Sequence, residues 1–228
     1  LKDQIRHIFF DLDHTLWDFD TNSALAFDEI FQKDFPSVPT DFFLEKYIPI
    51  NQACWALFQV DKMTHEQLRY QRLKQSFDAI GFEISDQQID QIAVDYIRLL
   101  PEFNHLFDDA IDTLNYLKER YVLHIITNGF AQVQFRKISN SNLSQYFQTV
   151  TNSEMAGAKK PHPLIFQHAL NLAQAQKEES VMIGDSMQAD IIGALDFGMQ
   201  AIFFNPSQLT VAEDVVQICN LAELKTIF

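Results

Sequence analysis

The sequence predicts an α/β protein: a Rossmann-like parallel sheet flanked by helices, with an all-helical cap domain inserted after the first strand. Three observations carry that prediction. From about residue 107 onward, short apolar runs alternate with helix-like segments, the pattern of βαβ units. The runs are nearly continuous in apolar residues, as in strands buried on both faces of a parallel sheet. Between about residues 18 and 105 only helical patterns occur. The expected organisation is a core domain of residues 1–16 plus 106–228 and a helical cap of residues 17–105.

The first strand is read over Ile5 to Phe10 and closes on Asp11. In the helical module, Leu25, Phe27, Phe31 and Phe35 suggest the apolar stripe of its first helix. Thr64 with Gln67 and Ser85 with Gln88 fit the capping box, in which side chains satisfy backbone N–H groups at a helix start. Gly81 and Pro101 mark stops. A helix from Asp108 to Arg120 then leads into a strand, Tyr121 to Thr127, closed by Asn128-Gly129. A helix over Phe130 to Ser139 precedes a short strand near Thr149 to Thr151. Pro163 suits the first position of a helix reaching about Ala173, because its missing N–H costs nothing there. Ser180 to Gly184 is a buried strand ending in Asp185, the next helix stops at Gly198, and Gln200 to Phe204 is a further strand.

At 228 residues the chain can form a core domain with a smaller companion. Its 47% apolar and 21% charged residues are ordinary for a globular protein, and 21 phenylalanines imply a bulky aromatic interior. A net charge of −14 argues against binding nucleic acid, which needs a basic face. A small phosphorylated metabolite needs only a local positive pocket, which a cation helps to supply. Cys54 and Cys219 lack metal-ligand spacing and read as reduced thiols. There is no signal-peptide pattern before the first strand, and no apolar stretch approaches the roughly 20 residues of a membrane span. The expectation is a cytoplasmic protein, monomer or homodimer, away from membranes.

Chemistry-bearing residues gather at strand ends. Asp11-Leu12-Asp13-His14-Thr15 closes the first strand and Thr127-Asn128-Gly129 the second; Lys160-Pro161 precedes a helix, and Gly184-Asp185 to Asp190 closes a later strand. In a parallel sheet all four converge on one edge, where ligands of such sheets bind. Clustered carboxylates repel one another unless a cation neutralises them, and an oxygen-only set suits Mg²⁺. Asp11 and Asp185 are candidate ligands, with the Asp13 backbone carbonyl as a third. A carboxylate can attack phosphorus. Lys160, the Thr127 hydroxyl and N–H groups near Leu12, Asp13 and Asn128 can hold phosphoryl oxygens, and Asp13 can move the proton. Singly each stretch is ordinary loop chemistry; in this order at strand ends they are specific.

On these four stretches the chain resembles the haloacid dehalogenase-like hydrolase superfamily over nearly its whole length. The resemblance implies an Mg²⁺-dependent phosphohydrolase working through an aspartyl-phosphate. It implies Asp11 as nucleophile and Asp13 as general acid/base. Asp11, Asp13 and Asp185 would bind Mg²⁺, Thr127, Asn128 and Lys160 the phosphate, and Asp190 would support them. Lys160 is preferred to Lys159 because it adjoins Pro161. Phe10 to Leu16 with Phe19-Asp20, Thr127 to Phe130, and the stretch Asn51 to Trp55 followed by Arg72 are most similar to bacterial pyrimidine 5′-nucleotidases. That implies a nucleoside monophosphate as substrate, with Asn51, Trp55 and Arg72 as specificity residues.

Ordinary readings stand beside these. Trp55 at helical spacing from Phe58 suits a core, Asn51 after Pro49 suits a helix cap, and Arg72 suits a surface ion pair. The same chemistry would serve a phosphatase or mutase acting on a sugar phosphate, phosphoglycolate or acylneuraminate phosphate. Dehalogenation is disfavoured, since dehalogenases of the superfamily lack the second carboxylate that Asp13 supplies. A phosphate-sensing receiver domain is disfavoured because its phosphorylated Asp lies on a middle strand and it carries no large helical insertion.

Overall fold

Ile8, Phe9 and Phe10 are fully buried on the first strand, β1 (His7–Phe10), and the rest of the sheet is built outward from it. The computed structural model describes residues 4–228. Its packing separates into two units. One runs through Asp18 and resumes at His105; the other is Phe19–Asn104. Leu16, Trp17 and Asp18 stay with the first unit through backbone hydrogen bonds, Trp17 N–H to Leu12 and Asp18 N–H to His105.

The second unit holds four helices, α1 (Phe19–Asp34), α2 (Thr40–Gln59), α3 (His65–Ala79) and α4 (Asp86–Leu99). Both expected capping boxes are formed, at Thr64–Gln67 and Ser85–Gln88. The interior is aromatic: Phe27 stacks on Tyr96 at 4.5 Å and meets Phe43 at 5.0 Å, which meets Phe77 at 4.9 Å. One expectation is corrected. Leu25 is exposed, because two residues turn a helix by about 200° and carry it off the face of Phe27. The buried stripe of α1 runs instead through Phe19, Ser23, Ala26, Phe27, Ile30 and Phe31.

The first unit continues through α5 (Ala110–Leu117), β2 (Val122–Thr127), α6 (Ala131–Asn140), β3 (Phe147–Asn152), the single turn α7 (Ser153–Ala156) and α8 (Pro163–Ala173). Next come β4 (Ser180–Gly184), a π-helical turn (Met187–Ile192), α9 (Gly193–Phe197), β5 (Gln200–Phe204), β6 (Gln217–Ile218) and α10 (Leu224–Ile227). Gly198, at φ 96°, ends α9 in the left-handed conformation that glycine tolerates best. All neighbouring strands are parallel, in the order β3-β2-β1-β4-β5-β6. Successive connections therefore run outward on one side from β1 to β3 and on the other from β4 to β6. The order reverses between β1 and β4, which is where open α/β sheets leave a crevice beyond their carboxyl ends.

Across the sheet, buried His124 on β2 stacks on Phe9 at 4.5 Å, with Nε2 3.0 Å from His7 Nδ1 and Nδ1 2.8 Å from Thr149 Oγ1. Burial, reinforced by His7, lowers its pKa to about 3. The unfolded chain takes up this proton near pH 6.5 and the folded chain does not, so His124 costs stability as pH falls below about 6.5. We expect a His124→Gln variant to lose less stability than the parent between pH 7 and 5, with the difference at most about 1.4 kcal/mol per pH unit. Urea unfolding across that range checks this; parallel pH profiles contradict it.

Candidate active site

Asp11 follows β1 and Asp185 follows β4, so the two carboxylates flank the reversal in strand order. The Asp11 N–H donates to Ile183 O at 2.9 Å, tying the two strand ends together. Asp11, Asp185 and Asp190 bring carboxylate oxygens within 4.8 Å of one another. Facing them is Lys160, 1% exposed. Its ammonium lies 2.9 Å from Asp11 Oδ1, 2.7 Å from Asp190 Oδ1 and 2.7 Å from Ile126 O. The contact to Ile126 O is a hydrogen bond, and the two carboxylate contacts are ion pairs.

The sequence around Asp190 builds its own support. Ser186 caps the π-helical turn by accepting from the Ala189 N–H, while its own N–H donates to Asp190 Oδ2 at 2.9 Å. Asp190 thus has one oxygen hydrogen-bonded to a backbone N–H and the other in an ion pair with Lys160. Thr15 donates to Asp185 Oδ1 at 3.2 Å.

One ammonium does not neutralise three carboxylates, Asp190 buried and Asp11 and Asp185 half-buried. Burial raises the Asp11 pKa to about 7; Lys160 opposes the shift and Asp190 adds to it. Burial, then Asp190 and Asp11, also raise Asp185 well above the ordinary carboxylate range. For Lys160, burial alone would lower the pKa, but Asp11 and Asp190 outweigh it and hold it at about 12. The surplus negative charge, the all-oxygen donors and their spacing fit a hard divalent cation. With Asp190 occupied by Lys160 and Ser186, Asp11 and Asp185 are the side chains suited to hold it.

A second layer orients these groups. The Asn128 side chain pairs with the backbone of Lys160 in both directions, Nδ2 to Lys160 O at 2.9 Å and Lys160 N–H to Oδ1 at 2.7 Å. Both ends of that amide therefore fix the lysine loop. The Thr127 hydroxyl accepts from the Gly129 N–H at 3.1 Å and from Gln134 Nε2 at 2.7 Å. With both lone pairs engaged, its own hydrogen is left to donate.

Asp13 points into a different environment. Its Oδ1 is 2.5 Å from Lys137 Nζ, and its Oδ2 accepts from Gln134 Nε2 at 2.9 Å. Sequence reading missed Gln134 and Lys137. In sequence they read as the polar face of a helix; in the structure they form, with Ile138, the buried stripe of α6, where polar groups need partners.

Asn51, Trp55 and Arg72 lie in the helical unit. Arg72 is not a surface ion pair. It is 5% exposed, donates to Asn51 Oδ1 at 3.2 Å and sits 5.1 Å over the Tyr96 ring. Asn51 is not a cap either, since α2 continues through Pro49 and past it. Trp55 is half-buried and meets Phe58 edge-on at 5.5 Å.

Comparison with known proteins places the chain in a family and a fold. The family model for haloacid dehalogenase-like hydrolases matches residues 5–198. The Pyrimidine 5′-nucleotidase PynA of Streptococcus pneumoniae is 30% identical over 224 residues, spanning 96% of this chain and 93% of that protein. The Pyrimidine 5′-nucleotidase YjjG of Escherichia coli is 26% identical over 221 residues, 95% and 93% of the two chains. A crystal structure of the HAD-hydrolase YfnB of Bacillus subtilis, bound to magnesium, superposes with a TM-score of 0.87 at 30% identity, covering 99% of both chains.

Gly184 lets the end of β4 pass against Asp190: a Cβ there would lie 2.2 Å from Asp190 Oδ2. Gly184→Ala should displace Asp190 from Ser186 and Lys160 and destabilise the fold by about 1–3 kcal/mol, the usual range for overpacking a full interior. A urea midpoint equal to that of the parent would contradict this packing.

Proposed function

The chain belongs to the haloacid dehalogenase-like hydrolase family, and from that premise we propose that it is an Mg²⁺-dependent phosphoric monoester hydrolase acting on nucleoside monophosphates, pyrimidine nucleotides first. The observation that carries the reading is the buried lysine set among carboxylates from β1 and β4, a cationic and anionic constellation suited to a phosphoryl group and its metal.

In this reading Asp11 is the nucleophile. Its carboxylate attacks phosphorus, the bond from phosphorus to the ester oxygen breaks, and Asp13 gives a proton to the departing alcohol. Asp13 then takes a proton from water as that water attacks the phosphorus of the aspartyl-phosphate, releasing inorganic phosphate and restoring Asp11. Lys160 and the Thr127 hydroxyl hold phosphoryl oxygens, with backbone N–H groups near Leu12, Asp13 and Asn128. The side chains of Asp11 and Asp185 and the Asp13 carbonyl would hold Mg²⁺, which when bound neutralises charge on the carboxylates and the phosphoryl oxygens. Asp190 keeps Lys160 charged and directed. Asn51, Trp55 and Arg72 are the candidates for substrate selection in the helical unit. The two pyrimidine 5′-nucleotidase relatives, alike over more than nine-tenths of their length, support the nucleotide reading.

We expect Asp11→Asn to abolish phosphate release, and Asp13→Asn to lower it by about 10²–10⁴-fold, the usual worth of acid–base help. Both are read by phosphate assay on a panel of nucleoside monophosphates and sugar phosphates, with Mg²⁺ and with EDTA. Full activity in either variant would overturn the assigned role. Preference for sugar phosphates over every nucleotide would overturn the substrate and leave the core chemistry intact.

A further inference from the structure

The sequence devotes a second buried lysine to this site. Lys137 on α6 is 2% exposed, with its ammonium 4.2 Å from the centre of the Trp17 ring and 2.5 Å from Asp13 Oδ1. A buried ammonium is costly unless a carboxylate compensates it, and Asp13 is that carboxylate. One turn earlier on the same helix face, Gln134 is 1% exposed and its amide spends both hydrogens on functional groups, one on Asp13 Oδ2 at 2.9 Å and one on Thr127 Oγ1 at 2.7 Å. Gly129 makes room for that amide: a Cβ there would lie 2.4 Å from Gln134 Cδ. Each oxygen of Asp13 thus has its own donor, and both donors come from one helix that starts just after Thr127-Asn128-Gly129.

We propose that Lys137 and Gln134 are positioning residues that clamp the Asp13 carboxylate in the orientation from which it exchanges protons, and that Gln134 ties that orientation to the phosphate-facing Thr127 hydroxyl. The proposal rests on Asp13 being the proton donor to the leaving group. Neither residue touches substrate; both act through Asp13. A loose Asp13 would have to be ordered in each turnover, and orientation of this kind accounts for a large part of catalytic power in general.

The test compares kcat/KM, which reports the phosphoryl-transfer step, for two substrates in the presence of Mg²⁺. From UMP the leaving group is the uridine 5′-alkoxide, which needs a proton, whereas p-nitrophenyl phosphate releases a stable phenolate that does not. The variants are Asp13→Asn, Lys137→Met, the double variant, Lys137→Arg and Gln134→Leu. Lys137→Met is expected to lower kcat/KM for UMP by about 10–100-fold, part of what acid–base help is worth, with a much smaller loss on p-nitrophenyl phosphate. In the Asp13→Asn background the same change should cost nothing further, since coupled residues are not additive. Lys137→Arg should recover most of the loss, because a guanidinium keeps the charge and stacks on the indole. Gln134→Leu should show the same leaving-group selectivity, and decides the matter if Lys137→Met does not fold. Equal losses on both substrates, losses that multiply in the double variant, or unchanged or increased activity on UMP would overturn the clamp. If Asp13→Asn itself fails to discriminate the two substrates, the assignment of Asp13 falls first and takes the clamp with it.

Discussion

The arrangement depends on one buried ammonium. Lys160 is the point at which β1, β2 and the turn after β4 are held together, through Asp11, the Ile126 carbonyl and Asp190. Burial by itself would favour the neutral amine, but two carboxylates outweigh it and hold the lysine pKa at about 12. Its loop is fixed from the other side by Asn128, whose amide reads the lysine backbone as a strand would. Three segments far apart in sequence are therefore bound to one geometry by a single positive charge. The charge is insufficient for the acids around it. That deficit makes the site receptive to a divalent cation.

Asp11 and Asp13 show how two like side chains on one loop acquire different surroundings. Asp11 looks toward Lys160 and two other acids, and burial with that crowding lifts its pKa to about 7. Asp13 looks toward Lys137, Gln134 and the loop held by Trp17. Two carboxylates two residues apart on one loop thus sit in separate electrostatic environments. The loop between them is short and rigid: the Leu12 carbonyl accepts from the N–H groups of Thr15, Leu16 and Trp17. The two directions are thus set by backbone structure.

Much of this was legible in the sequence, and the reasons are specific. Pro163–Ala173, Ser180–Gly184 and Gln200–Phe204 fall where read because a proline opens the helix and short apolar runs mark the two strands. Asp11, Thr127, Lys160 and Asp185 could be singled out because each adjoins an identifiable strand end or helix start. What escaped depends on tertiary packing. β6 has two residues and no periodicity of its own; it exists because β5 offers an edge. Gln134 and Lys137 look like the polar face of a helix until Asp13 and Trp17 supply partners. Arg72 looks like a surface arginine until Asn51 and Tyr96 enclose it. Pro49 looks like a boundary, but packing carries α2 through it. Sequence reveals where polar groups end strands; it does not reveal which polar groups the interior has accepted.

The central claim is that carboxylates from the loops after β1 and β4 share one divalent cation beside Lys160. Calorimetric titration of Mg²⁺ into the parent protein and into Asp185→Asn tests it most directly. The account expects one Mg²⁺ per chain in the parent and loss of that binding in the variant, with the fold retained by circular dichroism. Equal Mg²⁺ binding by both proteins would contradict it.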